Sequence, residues 1–333
     1  MTSTLIPVTI LTGFLGSGKT TLLNYILKQP HGHRIAVIEN EFGEAGIDNE
    51  LLVQDQNEQI IEMNNGCICC TVRGDLVRIL GELAAKKKAG TLRFDRVVIE
   101  TTGLADPAPV AQTFFVDEDI SQRYLLDAIV TLVDARHAPQ QFDEHHEAQE
   151  QVGFADRILL TKTDLVTPAD VQALRQRLTR MNPRAPIREA HFGVAAMNEL
   201  LDIRGFNLNA ILEIEPDFLN DVSHAHDDDV TSFVFREDRA LDLERLEDFL
   251  GSMVQVYGAQ MMRYKGVLHV HGEHRRVVFQ GVHMLMGAEM GNVWKKGEVR
   301  NTKIVFIGKD LPREVLEKGL AQCVFGTVEG TTT

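Results

Sequence analysis

The 333-residue chain is 44% hydrophobic and 25% charged, with a formal net charge of −14. That balance predicts a soluble globular protein long enough for two cores. It argues against nucleic acid as the main partner, because phosphate backbones require basic patches. No apolar run is long enough to span a bilayer, and no basic stretch followed by an apolar one marks a signal peptide, so no membrane association is expected. Of the four cysteines, three fall at positions 67, 69 and 70. They cannot build a disulfide framework, and a reducing cytoplasm is the expected setting.

Short apolar, β-branched runs at 6–11, 35–38, 97–99, 128–133 and 158–160, with Ile187, read as buried strands. Helical patterns such as 20–28 and 169–181 lie between them. The alternation predicts an α/β fold: a mostly parallel sheet with helices on both faces.

The residues with chemical potential follow the ends of these runs. After the first comes Gly13-Phe14-Leu15-Gly16-Ser17-Gly18-Lys19-Thr20, which fits G-x-x-x-x-G-K-[ST] and predicts a P-loop NTPase. Glycines let backbone N–H groups close on phosphate oxygens, and the following helix adds its positive N-terminal end. Lys19 is expected at the β- and γ-phosphates and Thr20 on Mg²⁺. After the second run comes Glu39-Asn40-Glu41-Phe42-Gly43-Glu44. An acidic loop is unremarkable alone, but Glu39 and Glu44 follow a strand in the nucleotide-facing layer.

After Ile60-Ile61 comes Gly66-Cys67-Ile68-Cys69-Cys70. Thiolates are soft, so Cys67, Cys69 and Cys70 favour Zn²⁺ or Cu(I) over Mg²⁺ or Ca²⁺. Closed structural zinc sites draw on two separated ligand pairs, and no second pair exists here. The shell is left to Glu39, Glu44, a histidine or a client protein, an incompleteness that suits exchange. Buried-core and redox-sensing roles are the alternatives.

After the run at 97–99, Glu100 ends the strand and Gly103 can offer its N–H to a γ-phosphate, so this segment can sense that phosphate. Glu100 is expected either to hold Mg²⁺ through water or to place the attacking water, and Asp134 competes with it. After the run at 158–160, Thr161-Lys162-Thr163-Asp164 reads as a variant of the guanine-reading N-K-x-D element, with threonine in place of asparagine. Asp164 would accept from guanine N1–H and the exocyclic amine, while the Lys162 stem lies along the base; a helix-capping Asp is the alternative. Every motif sits at a strand's carboxyl end, where open α/β sheets bind ligands.

The polar stretch 213–229, with Pro216 and His224-Ala225-His226-Asp227-Asp228-Asp229, reads as a linker. The expected domains are 1–215, a linker at 216–229, and 230–333. Beyond the linker, a strand at 230–235 precedes a helical stripe of Leu246, Phe249, Leu250, Met253, Val254 and Tyr257, closed by Gly258. Runs at 263–270 and 275–282 can pair as a hairpin. A strand at 303–307 precedes a helix capped by Asp310, with Pro312 in its first turn. The order predicts a smaller α+β domain. His145 and His146 read as exposed helix residues, His269 and His271 share a strand face and can chelate, Cys323 reads as core, and the tail from Gly326 is expected to be disordered.

These motifs together resemble the CobW-like P-loop GTPases of the metallochaperone type, most nearly their YjiA-type bacterial members. The resemblance runs through the phosphate loop to Thr21, Glu39 to Glu44, Asn65 to Cys70, Glu100-Thr101-Thr102-Gly103-Leu104-Ala105-Asp106-Pro107, Thr161 to Asp164 and Arg263-Tyr264-Lys265-Gly266. It implies GTP hydrolysis with Mg²⁺, binding of Zn²⁺ with Co²⁺ or Ni²⁺ as other candidates, and a role in metal homeostasis or insertion into a client metalloprotein. By position it assigns the metal to Cys67, Cys69 and Cys70, with Glu39 and Glu44 as auxiliaries. The long His-rich tract of many members is reduced here to His224 and His226.

The resulting expectation is a zinc-binding GTPase, slow alone, in which nucleotide state changes metal affinity. Two rivals stand beside it: a passive zinc-binding or redox-sensing module that uses GTP structurally, and a P-loop kinase acting on a small molecule.

Overall fold

The structure, a computed structural model, describes residues 5–39, 59–62, 72–205 and 228–326. The chain divides into two compact units, Met1–Gln176 with Ala185–Phe206, and Arg177–Arg184 with Asn207–Thr333.

In the first unit β1 (Ile6–Gly13) leads to α1 (Lys19–Lys28) and β2 (Ile35–Glu39). Then come β3 (Gln59–Glu62), α2 (Val72–Lys88), β4 (Arg96–Glu100), α3 (Ala108–Val116) and the single turn α4 (Glu118–Ser121). The unit continues through β5 (Tyr124–Asp134), α5 (Ala138–Glu144), α6 (His146–Phe154), β6 (Arg157–Thr161), α7 (Pro168–Met181) and β7 (Ile187–Ala190). The seven strands lie in the order β3-β2-β4-β1-β5-β6-β7, and every adjacent pair is parallel. Strands covered on both faces need continuous apolar runs. Accordingly β2, β4, β5 and β6 are buried almost throughout, while the edge strand β7 exposes its middle.

One face packs on α1. Leu22, Leu23, Ile26 and Leu27 recur at helical spacing and meet Leu11, Val37, Val98, Val130 and Leu132 of the sheet. Each such side chain contributes about 1.5–3 kcal/mol of burial. This packing aims the first turn of α1 at the carboxyl edge of β1. There the chain crosses to β2 on one side and later returns to β5 on the other, which makes the end of β1 the topological switch point.

The opposite edge is held by a buried charge. Arg96, the first residue of β4, is 1% exposed, and its Nη1 donates to Asp127 Oδ2 at 2.9 Å while Nη2 reaches Asp202. Asp127 also accepts the Arg204 N–H at 2.8 Å. The segment at 202–205 is thereby tied to the sheet end remote from the phosphate loop.

The second unit contains β8 (Val230–Glu237), α8 (Leu243–Tyr257), β9 (Arg263–Leu268), β10 (Arg275–Val282), β11 (Leu285–Val293), β12 (Thr302–Lys309) and α9 (Arg313–Gln322). Its sheet is antiparallel, ordered β11-β10-β9-β12-β8. Leu246, Leu250, Met253 and Val254 of α8 and Leu316 and Leu320 of α9 pack on Phe233, Tyr264, Phe279 and Phe306. Asp242 caps α8 by accepting the Arg245 N–H at 3.2 Å. Arg177 and Arg180 group with this unit: Arg177 pairs with Asp228 at 2.7 Å and the Ser232 hydroxyl donates to Arg180 O. Asp228 is therefore a buried ion-pair member rather than a solvated linker charge.

Several expectations change. Strand β11 was not anticipated. Gly258 does end α8, but with right-handed φ −57; a Cβ there would meet Met284 Sδ at 2.2 Å, so space rather than left-handed geometry requires glycine. Asp310 does not cap α9; Pro312 stands at the N-cap without a side-chain bond, and Asp310 takes φ 45. His269 and His271 lie beyond β9 and turn to different aromatic partners, Trp294 at 6.1 Å and Phe325 at 3.4 Å between ring centroids. Cys323 is buried, as expected, and burial pushes its thiol up to about 11. His224, His226 and residues 327–333 lie outside the described residues. Among the described residues no helix is long and apolar enough to cross a membrane.

Replacing Arg96 with Met should destabilise the first unit by about 3–5 kcal/mol, because Asp127 is left as a buried charge without its cation. Denaturant unfolding of the full chain followed at pH 7 measures this, and restoration by a simultaneous Asp127→Leu change would identify the stranded carboxylate as the cause.

Candidate nucleotide and metal site

β1 ends at Gly13 and α1 begins at Lys19, so the intervening loop hangs over the helix N-terminus. The backbone here is one that side chains do not tolerate. Gly13 has φ 143, and a Cβ would come 2.4 Å from Leu132 O and 2.7 Å from Ser17 Oγ. The Ser17 hydroxyl is buried and, among the described residues, has no hydrogen-bond partner. Lys19 folds back over the loop, its Nζ donating to Gly13 O at 2.8 Å. Burial lowers the Lys19 pKa, and the Glu100 charge opposes that shift only in part. An anion in the cradle would remove the conflict, since it gives the ammonium a counter-charge. An orphaned hydroxyl, a desolvated ammonium and a helix N-terminus on one loop are the donor set that a phosphate chain requires.

Glu100 is the last residue of β4. Its Oε1 accepts the Thr20 hydroxyl at 3.0 Å. A hydroxyl and a carboxylate held together beside a phosphate cradle are oxygen ligands of the kind Mg²⁺ takes, so these residues fit that ion. Behind them, the Thr101 N–H donates to Leu11 O at 3.0 Å and its hydroxyl donates to Thr12 Oγ1 at 2.8 Å, which fixes the strand end against β1.

Gly103 abuts the phosphate loop; a Cβ there would come 2.7 Å from Leu15 N. Its carbonyl accepts Gln151 Nε2 at 3.1 Å, and the same amide donates to Ala105 O at 3.1 Å. Gln151 is 1% exposed. A buried amide from α6 therefore clamps the segment expected to sense the γ-phosphate, a residue that sequence reasoning missed because no local motif marks it. His145, read as an exposed helix residue, instead precedes α6 with its ring 4.7 Å from that of Phe14.

On the other flank, Thr161 ends β6 and its hydroxyl donates to Ser17 O at 2.9 Å. The threonine that departs from the N-K-x-D pattern thus bonds directly to the phosphate loop. Lys162 adopts φ 56, and its Nζ donates to Asp134 Oδ2 at 2.7 Å. Asp134 also receives His137 Nδ1 at 2.9 Å and the Arg136 N–H at 2.9 Å. Burial alone would raise its carboxyl, but the Lys162 and His137 bonds outweigh burial and hold it below the usual carboxylate range. Asp134 is occupied as an anchor for Lys162, which disfavours it as the rival to Glu100. Asp164 is exposed on the short turn Thr163–Leu165.

Glu39 ends β2 in register with Glu100 of β4 on one side and with Glu62 of β3 on the other. Three glutamates thus occupy one row at the carboxyl edge, starting at the residue that holds Thr20. Glu44, Cys67, Cys69 and Cys70 lie outside the described residues. In sequence, Glu44 follows Glu39 and the cysteines follow Glu62, so both segments depart from this row.

Residues 7–189 match the CobW/HypB/UreG nucleotide-binding domain and residues 230–324 match the cobalamin synthesis protein cobW C-terminal domain. The zinc chaperone YjiA of Escherichia coli (strain K12) is 42% identical over 319 residues, spanning 95% of this chain and 98% of that protein. The zinc chaperone CobW of Pseudomonas aeruginosa is 33% identical over 353 residues, spanning 95% and 90%. The crystal structure of Zn(II)-bound YjiA GTPase from E. coli superposes with a TM-score of 0.79 at 38% identity, covering 96% of this chain and 99% of that one. With the phosphate loop, the strand-end glutamates and both domain matches in agreement, the chain belongs to the CobW/HypB/UreG family of nucleotide-binding proteins.

Proposed function

We propose that this protein is a zinc-handling GTPase that couples GTP binding and hydrolysis to the binding and delivery of Zn²⁺ to a client metalloprotein. The setting is the cytoplasm, where the cysteines stay reduced. Residues 1–215 carry the catalytic domain, apart from Arg177–Arg184, which group with the second unit; 216–229 connect the two, with Asp228 already anchored to Arg177; and 230–333 form the second domain. The observation that carries the reading is the glutamate row: Glu100, bonded to Thr20, stands in register with Glu39, from which the acidic segment departs. One edge of one sheet thus serves both the triphosphate and the metal cargo.

In this reading Gly13, Phe14, Leu15, Gly16, Ser17 and Gly18 wrap the phosphates with backbone N–H groups, and Thr21 continues the helix start behind them. Lys19 leaves its carbonyl partners for the β- and γ-phosphate oxygens. Mg²⁺, held by Thr20 and through Glu100, would neutralise charge that builds on the phosphate oxygens. The Gly103 N–H reports the γ-phosphate, and the Gln151 clamp transmits its position to α6. Asp164 accepts from the guanine edge, with Lys162 aligned by Asp134 and Thr161 holding the two loops together. Glu39, Glu44, Cys67, Cys69 and Cys70 hold the zinc. Unaided turnover of this kind can be as slow as about 10⁻³ s⁻¹ or below, so acceleration by a client or by the bound cargo is part of the design.

The reading makes the following outcomes expected. Lys19→Ala abolishes GTP hydrolysis, and unlabelled GTP displaces a fluorescent guanine nucleotide from the wild type far better than ATP does; equal displacement would remove the role given to Asp164. Replacing Cys67, Cys69 and Cys70 with Ser weakens Zn²⁺ by orders of magnitude in competition with a chromophoric chelator. In the wild type, Zn²⁺ and GTP then alter each other's affinity by the same factor, about 5- to 150-fold, and titrations showing no mutual effect would reduce the protein to a passive binder. Finally, Lys19 carries a lowered pKa in the free protein, whereas bound phosphate favours its charged form. Nucleotide affinity is therefore full below the free-state pKa and declines as pH rises through it, beginning below the ordinary lysine value of 10.5; dissociation constants measured across that range should show the bend.

A further inference from the structure

Beyond β7 the chain reverses at His191-Phe192-Gly193-Val194, where the Val194 N–H donates to His191 O at 2.8 Å. The two central residues have φ 49 and φ 77, the double left-handed geometry of a type I′ turn. Asn, Asp or Gly normally fills the first central position, because a bulky side chain with positive φ is disfavoured. Here it is phenylalanine. Phe192 is moreover 84% exposed, the most exposed large hydrophobic residue among those described. Both the backbone and the side chain are thus in unfavourable states, and backbone strain of this kind collects at ligand sites.

The position of the turn indicates the ligand. Gly193 lies against the phosphate-loop helix, where a Cβ would come 3.0 Å from Thr21 Cγ2 and from Thr21 O. One residue before the turn, Ala190 pairs in register with Thr161. Glu189 accepts the Thr163 hydroxyl at 3.3 Å, which binds β7 to the loop carrying Lys162 and Asp164. The turn is therefore fastened to the two segments that the proposed function assigns to the phosphates and to the base. A flat aromatic ring at that junction can cover a purine face, while Asp164 reads the purine edge.

We propose that Phe192 is a base-stacking residue that closes over the guanine ring of the bound nucleotide. The inference rests on the GTP reading and adds a separate element to it. Stacking recognises a π face, not an edge, so Phe192 contributes affinity alike to GTP and GDP and leaves the preference for guanine to Asp164.

The test uses the full-length chain with Phe192→Asn, a residue that suits the left-handed position, and Phe192→Trp, which restores an aromatic face. Wild type and variants are titrated with GDP, with GTP and with ribose 5′-triphosphate, which lacks the base. Phe192→Asn should weaken GDP and GTP equally, by roughly 5- to 100-fold. Ribose 5′-triphosphate binding should be unchanged, and the melting temperature without nucleotide should not fall. Phe192→Trp should keep the affinity, with indole emission quenched on adding GDP against the constant background of Trp294. Wild-type affinity for GDP in Phe192→Asn overturns the inference while leaving the GTPase reading intact. Wild-type GDP affinity accompanied by a changed oligomeric state or lost client binding would instead make Phe192 a protein-contact anchor. Failure of the wild type itself to bind guanine nucleotides would overturn the underlying function.

Discussion

All seven strands of the first unit run the same way, and that shared direction organises the whole functional site. A parallel sheet brings the carboxyl end of every strand to one edge, so residues far apart in sequence become neighbours without any local pairing. Thr20 and Glu100 are 80 positions apart, and Thr161 and Ser17 are 144 apart, yet both pairs are hydrogen-bonded at this edge. The glutamates of β2, β3 and β4 fall into one row for the same reason.

The opposite edge serves stability. Arg96 and Asp127 form a buried pair there, and removing either partner of such a pair strands a buried charge. The division of labour follows from strand direction: charge needed for chemistry gathers at one end, and charge that ties the returning chain gathers at the other.

Much of this arrangement was legible in advance because its determinants are local. The phosphate loop declares itself through glycines at fixed spacing, and the buried strands through unbroken β-branched runs; both are properties of a few consecutive residues. Contacts between distant segments carried no such signature. The Gln151 clamp, the Asp134–Lys162 anchor and the bond from Thr161 to Ser17 exist only once the sheet has assembled. Thr161 is instructive: as a letter it weakened a motif, whereas as a side chain it joins the two loops that the motif and the cradle define. Strand β11 escaped notice because Leu285-Met286-Gly287-Ala288-Glu289-Met290-Gly291-Asn292-Val293 lacks the β-branched pattern. It is paired along β10 and largely exposed at the sheet's edge, so burial did not shape its composition. Asp310 misled because an acidic residue near a helix start usually caps it, while here the chain needs a left-handed residue before Pro312.

The burial of Cys323 has a practical corollary for thiol chemistry. Its sulfhydryl is enclosed and donates to Gly319 O at 3.2 Å. With its pKa pushed up to about 11, it stays almost wholly protonated at neutral pH. Thiol-directed reagents applied to the folded chain therefore react with it only slowly, and the thiol reactivity they report originates in the other three cysteines.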